Sequence, residues 1–303
     1  MTQSPVFIVG EARSGTSIAH RCMLLHPLFA LSDPERSGLA ESNAFVNPLK
    51  ILDDFAGTGL AEYLLNDTEQ IGKLHSEVDQ YRGSAKRFWK IFRMAKKTGL
   101  PAKLIWKAGK YTDILHAYFD VAMQVRGQKR LLEKSPDHNW HIPEILWTYP
   151  QAKIIYLTRN PVDTYASYHK RYQREKKLGK SEQELQWLKP SIQDITARLK
   201  NNWQRVADAH GKWPNNVLTV RYEDFVGDYE NVMRSLLTWL GAEVIIHEPE
   251  DSGKNWGADP QLMSGLRKKT DSNEGVMTQD EVDQVETLMK PSEGVLSASM
   301  LQY

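Results

Sequence analysis

The stretch richest in potential chemistry is Val6-Phe7-Ile8-Val9-Gly10-Glu11-Ala12-Arg13-Ser14-Gly15-Thr16-Ser17. An apolar, β-branched run enters a turn of glycines, small hydroxyl residues and one arginine, and a helical pattern follows. Small residues let backbone N–H groups close around a phosphate-sized anion, and the start of the helix adds partial positive charge. Gly10 and Gly15 have the spacing of the nucleotide loop GxxxxGK[ST], but Thr16 stands where that loop has lysine. Nucleoside-triphosphate chemistry relies on that lysine at the β- and γ-phosphates. The loop therefore reads as anion-binding, with Arg13 as its cation, and as poorly suited to ATP hydrolysis. The ordinary alternative is a tight strand–helix turn with no ligand.

A second strand, Lys153-Ile154-Ile155-Tyr156-Leu157, runs into Thr158-Arg159-Asn160-Pro161-Val162-Asp163. Pro161 fits the first turn of a helix. Ser167 follows Arg159 by eight positions (167 − 159), about two helical turns. A strand-end arginine and a serine on the next helix can meet at one further phosphate. Taken singly, Arg159 reads as a surface ion-pair residue and Ser167 as a solvated helix position.

Together these segments resemble the sulfotransferases that use 3′-phosphoadenosine 5′-phosphosulfate. The family's 5′-phosphosulfate loop, roughly PRSGTT, is similar to Ala12-Arg13-Ser14-Gly15-Thr16-Ser17, with Ala12 for proline and Ser17 for threonine. Its 3′-phosphate segment RxPxDxxxS is matched at Arg159, Pro161, Asp163 and Ser167. Leu132-Glu133-Lys134-Ser135-Pro136-Asp137-His138 is similar to the EKTPxH stretch of bacterial members, and Arg221-Tyr222-Glu223-Asp224-Phe225 with Leu240-Gly241 to the YEDF/L region. His26-Pro27 also looks like the family. The matches run in the family's order from residue 6 to about 241, and look closest to cyanobacterial and related bacterial members, polyketide-associated ones among them.

The resemblance implies that Arg13 and the N–H groups of Ser14, Gly15, Thr16 and Ser17 hold the 5′-phosphosulfate, and that Arg159 and Ser167 hold the 3′-phosphate. It puts Tyr222 beside the adenine, against the alternative of a core tyrosine at a strand end. It brings the Lys134 ammonium to the bridging oxygen or the sulfuryl group, where a strand-end lysine is ordinarily solvated. The general base is Glu41 first, in Glu41-Ser42-Asn43-Ala44-Phe45, then His138, then Glu35. Near the C-terminus Leu266-Arg267-Lys268-Lys269 is similar to a basic loop that closes over the 3′-phosphate, with Lys269 replacing a glycine; an exposed, solvated loop is the alternative for Arg267 and Lys268. Trp89, Trp106, Trp140 and Trp147 are candidates for an acceptor pocket or for core. The basic run Lys170 to Lys177 reads as a solvated helix face, with a secondary part in drawing in an anionic donor. His138 and His141 have the wrong interval for zinc, and no metal is assigned.

These residues need a frame. Strand-like runs at 6–9, 103–106, 130–133, 153–157 and 217–220 alternate with helical patterns at about 17–26, 111–126, after Pro161, 192–209, 229–240 and 279–289. That alternation predicts an α/β fold of the P-loop type: a central, mainly parallel sheet flanked by helices in three layers. One domain spans 1–303, with a helical acceptor-site insertion at about 41–99 and a C-terminal lid and helix at about 242–303. The chain has 303 residues, 41% hydrophobic and 25% charged, with 39 Lys+Arg against 38 Asp+Glu and a net charge of +1. A general polyanion binder would be far more basic, so nucleic acid is not expected and basic chemistry must be local. Cys22 is the single cysteine, which excludes an internal disulfide and cysteine-based zinc sites. No run approaches the length of a membrane span, and residues 1–10 lack the basic flank of a signal peptide, so the expected compartment is the cytoplasm.

The activity expected is sulfuryl transfer to the hydroxyl or amine of a small-molecule, carbohydrate or polyketide-type acceptor, leaving 3′,5′-adenosine bisphosphate. The alternatives are a P-loop kinase or nucleotidase using ATP and magnesium, disfavoured by Thr16, and a catalytically silent nucleotide-binding protein.

Overall fold

The computed structural model describes residues 4–30, 45, 119, 128–247 and 275–302. The expected strand at 103–106, the helix at 111–126 apart from Phe119, nearly all of the 41–99 insertion, and Glu35, Glu41, Trp89, Trp106, Arg267 and Lys268 lie outside them.

Among the described residues, four strands form one sheet in the order β2-β1-β3-β4. They are β1 (Val6–Gly10), β2 (Leu132–Lys134), β3 (Lys153–Thr158) and β4 (Val217–Arg221). All three pairings are parallel. Both faces are covered, which is why β1 is an unbroken apolar run instead of an alternating one. Val6 and Ile8 pack with Ala19 and Met23 of α1 (Thr16–Met23) and with Val232 and Leu236 of α7 (Tyr229–Trp239). Phe7 and Val9 point the other way, into Ile145 of α2 (Ile142–Thr148) and Val206 of α5 (Ile192–Lys212). The result is the expected three-layer α/β arrangement.

A third apolar cluster joins α3 (Pro161–Lys177), the short α4 (Glu182–Leu185), α5 and α8 (Gln279–Met289) through Tyr168, Tyr172, Leu185, Ile195, Val285 and Met289. Between β4 and α7 lies α6 (Tyr222–Gly227), which follows directly on the strand. The chain's last described residues run along the edge of β4, with Leu301 N–H donating to the Thr219 carbonyl at 2.8 Å. No helix among the described residues is long and apolar enough to cross a membrane.

Two boundaries differ from the sequence reading. The second strand begins at Leu132 instead of Arg130. The buried Arg130 guanidinium turns back to the Ser4 carbonyl at 2.7 Å and the Leu240 carbonyl at 2.8 Å, tying the lower end of the sheet. The first helix ends at Met23, and the chain turns there. His26 fixes that turn: its Nε2 lies 2.9 Å from the Glu243 carbonyl and its Nδ1 accepts from Leu28 N–H.

A candidate anion site at the strand ends

The neighbours of β1 are β2 and β3, so the chain leaves β1 in one direction and later returns on its other side. Crevices at such reversals, outside the carboxyl ends of the strands, are the usual ligand sites of open α/β sheets. The turns after β1 and β3 meet there.

The turn after β1 is set by two close approaches and one residue of positive φ. A Cβ on Gly10 would come 2.6 Å from the Leu157 carbonyl oxygen, so the loop leaves the sheet hard against β3. Gly15 has φ 98° and caps α1, and a Cβ there would lie 2.3 Å from Cδ2 of Tyr222. Arg13 is the one non-glycine described residue with positive φ, at 72°. Ser14 closes the turn: both its N–H and its hydroxyl donate to the Glu11 carbonyl, at 3.1 and 2.7 Å. Both Ser14 donors are thus engaged inside the loop. The first intrahelical bond of α1 is Ala19 N–H to the Gly15 carbonyl. Among the described residues no side chain caps this helix, and no acidic residue stands in its first turn. The N–H groups of Thr16 and Ser17 thus retain the anion-binding character of an open helix start.

The turn after β3 brings in the second set. Arg159 donates from Nη1 to the Arg13 carbonyl at 3.4 Å, and its guanidinium lies over the Tyr222 ring at 4.6 Å from the centroid. Its Nε is buried with no hydrogen-bond partner among the described residues. Ser167, two turns into α3, accepts from Arg13 Nε at 3.2 Å. Residues 13, 159, 167 and 222, scattered over four elements, therefore form one cluster. Tyr222 supports Gly15 and Arg159 from below. Its neighbour Glu223 accepts from Asn160 N–H at 2.8 Å, tying the end of β4 to the end of β3.

Lys134 ends β2 in register with Ile8 and is only 1% exposed, so the solvated alternative does not hold. On the opposite face Glu133 forms a buried network. It accepts from Ser135 Oγ at 2.5 Å and pairs with His138 Nδ1 at 3.0 Å. His138 is fully buried, and its Nε2 accepts from Phe45 N–H at 3.2 Å. With that N–H as donor, Nε2 must carry the lone pair and Nδ1 the proton. Both nitrogens are thus engaged. In this geometry His138 holds the backbone at Phe45. Glu41 and Glu35 lie outside the described residues.

Of the tryptophans, Trp147 packs at the edge of the α2–α5 core. Trp140 is 40% exposed with the Arg205 guanidinium 4.7 Å from its ring centroid. Acids match part of the basic run on α3: Arg171 and Arg174 pair with Glu175, which Lys180 just beyond the helix also joins, and Lys176 pairs with Glu182. The hydrogen bond from Lys180 leads the interactions that hold the Glu175 carboxyl down to about 2. The Cys22 thiol, buried in the α1 core, is pushed up to about 12 by that burial and is chemically quiet.

Sequence reasoning missed Glu11, Glu223 and the Glu133–Ser135–His138 network. Only the last has a local signal, since its members lie within six consecutive positions.

Comparison with known proteins agrees with this geometry. A profile of the sulfotransferase family matches residues 5–245, and the chain belongs to that family. Two curated relatives, the omega-hydroxy-beta-dihydromenaquinone-9 sulfotransferases Stf3 of Mycobacterium bovis and Mycobacterium tuberculosis, are each 25% identical over 264 residues. The match covers 78% of this chain and 62% of theirs. Among solved structures, the sulfotransferase domain from the curacin biosynthetic pathway is 15% identical, with 95% of this chain and 98% of that one covered and a TM-score of 0.47. A sulfotransferase from Alicyclobacillus acidocaldarius is 16% identical, with 98% and 96% covered and a TM-score of 0.49.

Proposed function

We propose that this chain transfers a sulfuryl group from 3′-phosphoadenosine 5′-phosphosulfate to an acceptor hydroxyl. The observation that carries this reading is the meeting of Arg13, the open start of α1, Arg159 and Ser167 in one crevice. A donor with phosphate at both its 5′ and 3′ positions needs two such anion sites, and ATP needs one extended site with a lysine that this loop lacks. The buried, unpartnered Arg159 Nε is a donor still to be satisfied, which fits an anionic ligand.

The donor, when bound, supplies an activated sulfuryl group on its 5′-phosphate. The rest is the work of the chain. Arg13 and the N–H groups of Gly15, Thr16 and Ser17 hold that end, and Arg159 and Ser167 hold the 3′-phosphate, so the reacting bond is fixed in orientation. Lys134, kept dry at the end of β2, offers positive charge where the leaving phosphate oxygen becomes negative. Glu41 removes the acceptor proton. The acceptor oxygen then bonds to sulfur as the bond from sulfur to the bridging oxygen breaks, and 3′,5′-adenosine bisphosphate leaves. Arg267 and Lys268 add cations beside the 3′-phosphate. Tyr222 flanks the adenine while supporting Gly15 from below. The curated relatives are named for a hydroxylated quinone, which favours a small-molecule hydroxyl acceptor.

Thermal unfolding tests this. At about a hundred times its Kd, 3′,5′-adenosine bisphosphate should stabilise the protein by ~2.7 kcal/mol. ATP with magnesium at the same concentration should give a much smaller shift. Equal shifts, or none with the bisphosphate, would overturn the donor assignment.

A further inference from the structure

Glu11 is an odd residue for an anion-binding loop. A carboxylate between Gly10 and Arg13 places negative charge beside the intended ligand, and its own side chain is only 7% exposed. The structure turns that side chain away from the crevice and into a polar nest under the loop. Oε1 accepts from Tyr168 Oη at 2.8 Å and lies 3.2 Å from Arg198 Nη2. Oε2 accepts from Asn202 Nδ2 at 3.0 Å. Arg198 also donates to Tyr168 Oη at 3.3 Å, so the partners bond to one another as well. All of Glu11's partners are donors, which suits the ionised carboxylate; a protonated carboxyl would face one donor with another.

The nest joins three elements. Tyr168 belongs to α3, and Arg198 and Asn202 to α5. Tyr168 is the residue after Ser167, which accepts from Arg13. The loop is thus pinned to α3 at consecutive residues, by Glu11 from beneath and by Arg13 at the crevice. The Glu11 carbonyl meanwhile receives both donors of Ser14. One residue therefore closes the turn with its backbone and anchors it with its side chain. Arg13, held at φ 72°, is the strained residue this anchoring supports.

Burial leads the causes that lift the Glu11 carboxyl above the usual carboxylate range. Arg198 and the Tyr168 hydrogen bond oppose the rise, and Asp137 adds to it. A carboxyl whose pKa is raised on folding favours the fold at low pH and loses that contribution as pH rises through the folded value. Ionised Glu11 therefore costs stability at neutral pH. The groups facing it are Arg198 and Asn202 of α5, Tyr168 of α3, Tyr156 of β3 and Asp137 of the turn after β2.

We propose that Glu11 is a positioning residue: its buried side chain, hydrogen-bonded to Tyr168 and Asn202 and beside Arg198, locks the phosphate loop onto α3 and α5 and so keeps the anion-binding turn formed. The anchor itself is independent of which anion binds, while its effect on nucleotide affinity rests on the donor reading above.

Three proteins test this: wild type, Glu11→Ala and Glu11→Gln. In ligand-free protein, hydrogen exchange at Ala12 to Ser17 should be about tenfold faster in Glu11→Ala than in wild type. In calorimetry at pH 8, Glu11→Ala should bind 3′,5′-adenosine bisphosphate about tenfold more weakly. Glu11→Gln should restore most of that affinity. Its amide oxygen can still accept from Tyr168 and Arg198, and Asn202, whose Oδ1 has no partner among the described residues, can turn to meet the amide nitrogen. Unchanged loop exchange in Glu11→Ala overturns the anchor. Failure of Glu11→Gln to restore the affinity lost in Glu11→Ala overturns the hydrogen-bonded nest as what holds the anchor. Absence of binding by wild type is the separate failure of the donor reading, and the exchange experiment still decides the anchor.

Discussion

The turns after β1 and β3 stand side by side on paired strands, and each leads into a helix, yet they end in opposite ways. The helix after β3 is closed by its own sequence. The Asn160 side chain accepts from Val162 and Asp163 N–H at 2.9 and 3.3 Å, Pro161 takes the first helical position, and Asp163 stands in the first turn. The helix after β1 has none of these devices, and glycine with positive φ occupies the cap. A helix start ordinarily satisfies its free N–H groups with a cap. One junction has done so and the other has kept them for something else. On the proposed function the contrast divides the labour: α1 would hold its anion through the backbone, whereas the turn after β3 and α3 would contribute the side chains of Arg159 and Ser167, and α3 keeps its own N-terminus shut.

The largest effect should come from damaging the open junction. Gly15→Ala must accept φ 98° and place a Cβ 2.3 Å from the Tyr222 ring, which also carries the Arg159 guanidinium. The backbone strain alone is worth about 1–3 kcal/mol. Displacing Tyr222 disturbs Arg159 as well, so both anion sites suffer from one methyl group. Affinity for 3′,5′-adenosine bisphosphate should fall more than about a hundredfold in calorimetry, with a lower unfolding temperature. Wild-type affinity in this variant would mean that the Gly15–Tyr222 contact does not shape the site.

A selective loss should follow from the side-chain contribution of the other junction. Arg159→Ala removes a guanidinium assigned to the 3′-phosphate alone. A charged hydrogen bond is worth about 1.5–3 kcal/mol, so 3′,5′-adenosine bisphosphate should bind roughly ten- to a hundredfold more weakly. Adenosine 5′-phosphosulfate, which lacks the 3′-phosphate, should bind nearly as before. If both ligands lose affinity equally, the two junctions do not divide the anions between them.

What the sequence disclosed about this pair follows from how local each signal is. β1 and β3 are continuous apolar runs because both faces are buried, and such runs are visible without any partner. The loop glycines, Pro161 and the Arg159–Ser167 interval are likewise short-range, and their convergence with Tyr222 came from the family resemblance. Glu11 gave no such sign. Its partners Tyr168 and Asn202 lie 157 and 191 positions away, so nothing within the turn discloses them. The contact of His138 is just as distant: its sequence setting suggests a base, while its Nε2 accepts from Phe45 N–H, 93 positions away. Lys134 shows the limit of a strand-end rule. The position suggests solvent, but pairing with Ile8 under α1 buries it.

The smallest effect should come from opening the closed junction. Asn160→Ala deletes the side chain that accepts from Val162 and Asp163 N–H, leaving the Glu223 contact to the Asn160 backbone in place. Loss of such a cap costs about 0.5–2 kcal/mol of stability. That should appear as a modest fall in the denaturation midpoint with an unchanged slope. Because α3 is assigned no backbone contact with the ligand, 3′,5′-adenosine bisphosphate affinity should stay within about threefold of wild type. The Asp163 carboxylate remains in the first turn of α3 and continues to disfavour an anion there. A large loss of affinity with little loss of stability would reverse the assignment: the cap would then belong to the binding site, and the two helix starts would not differ in kind.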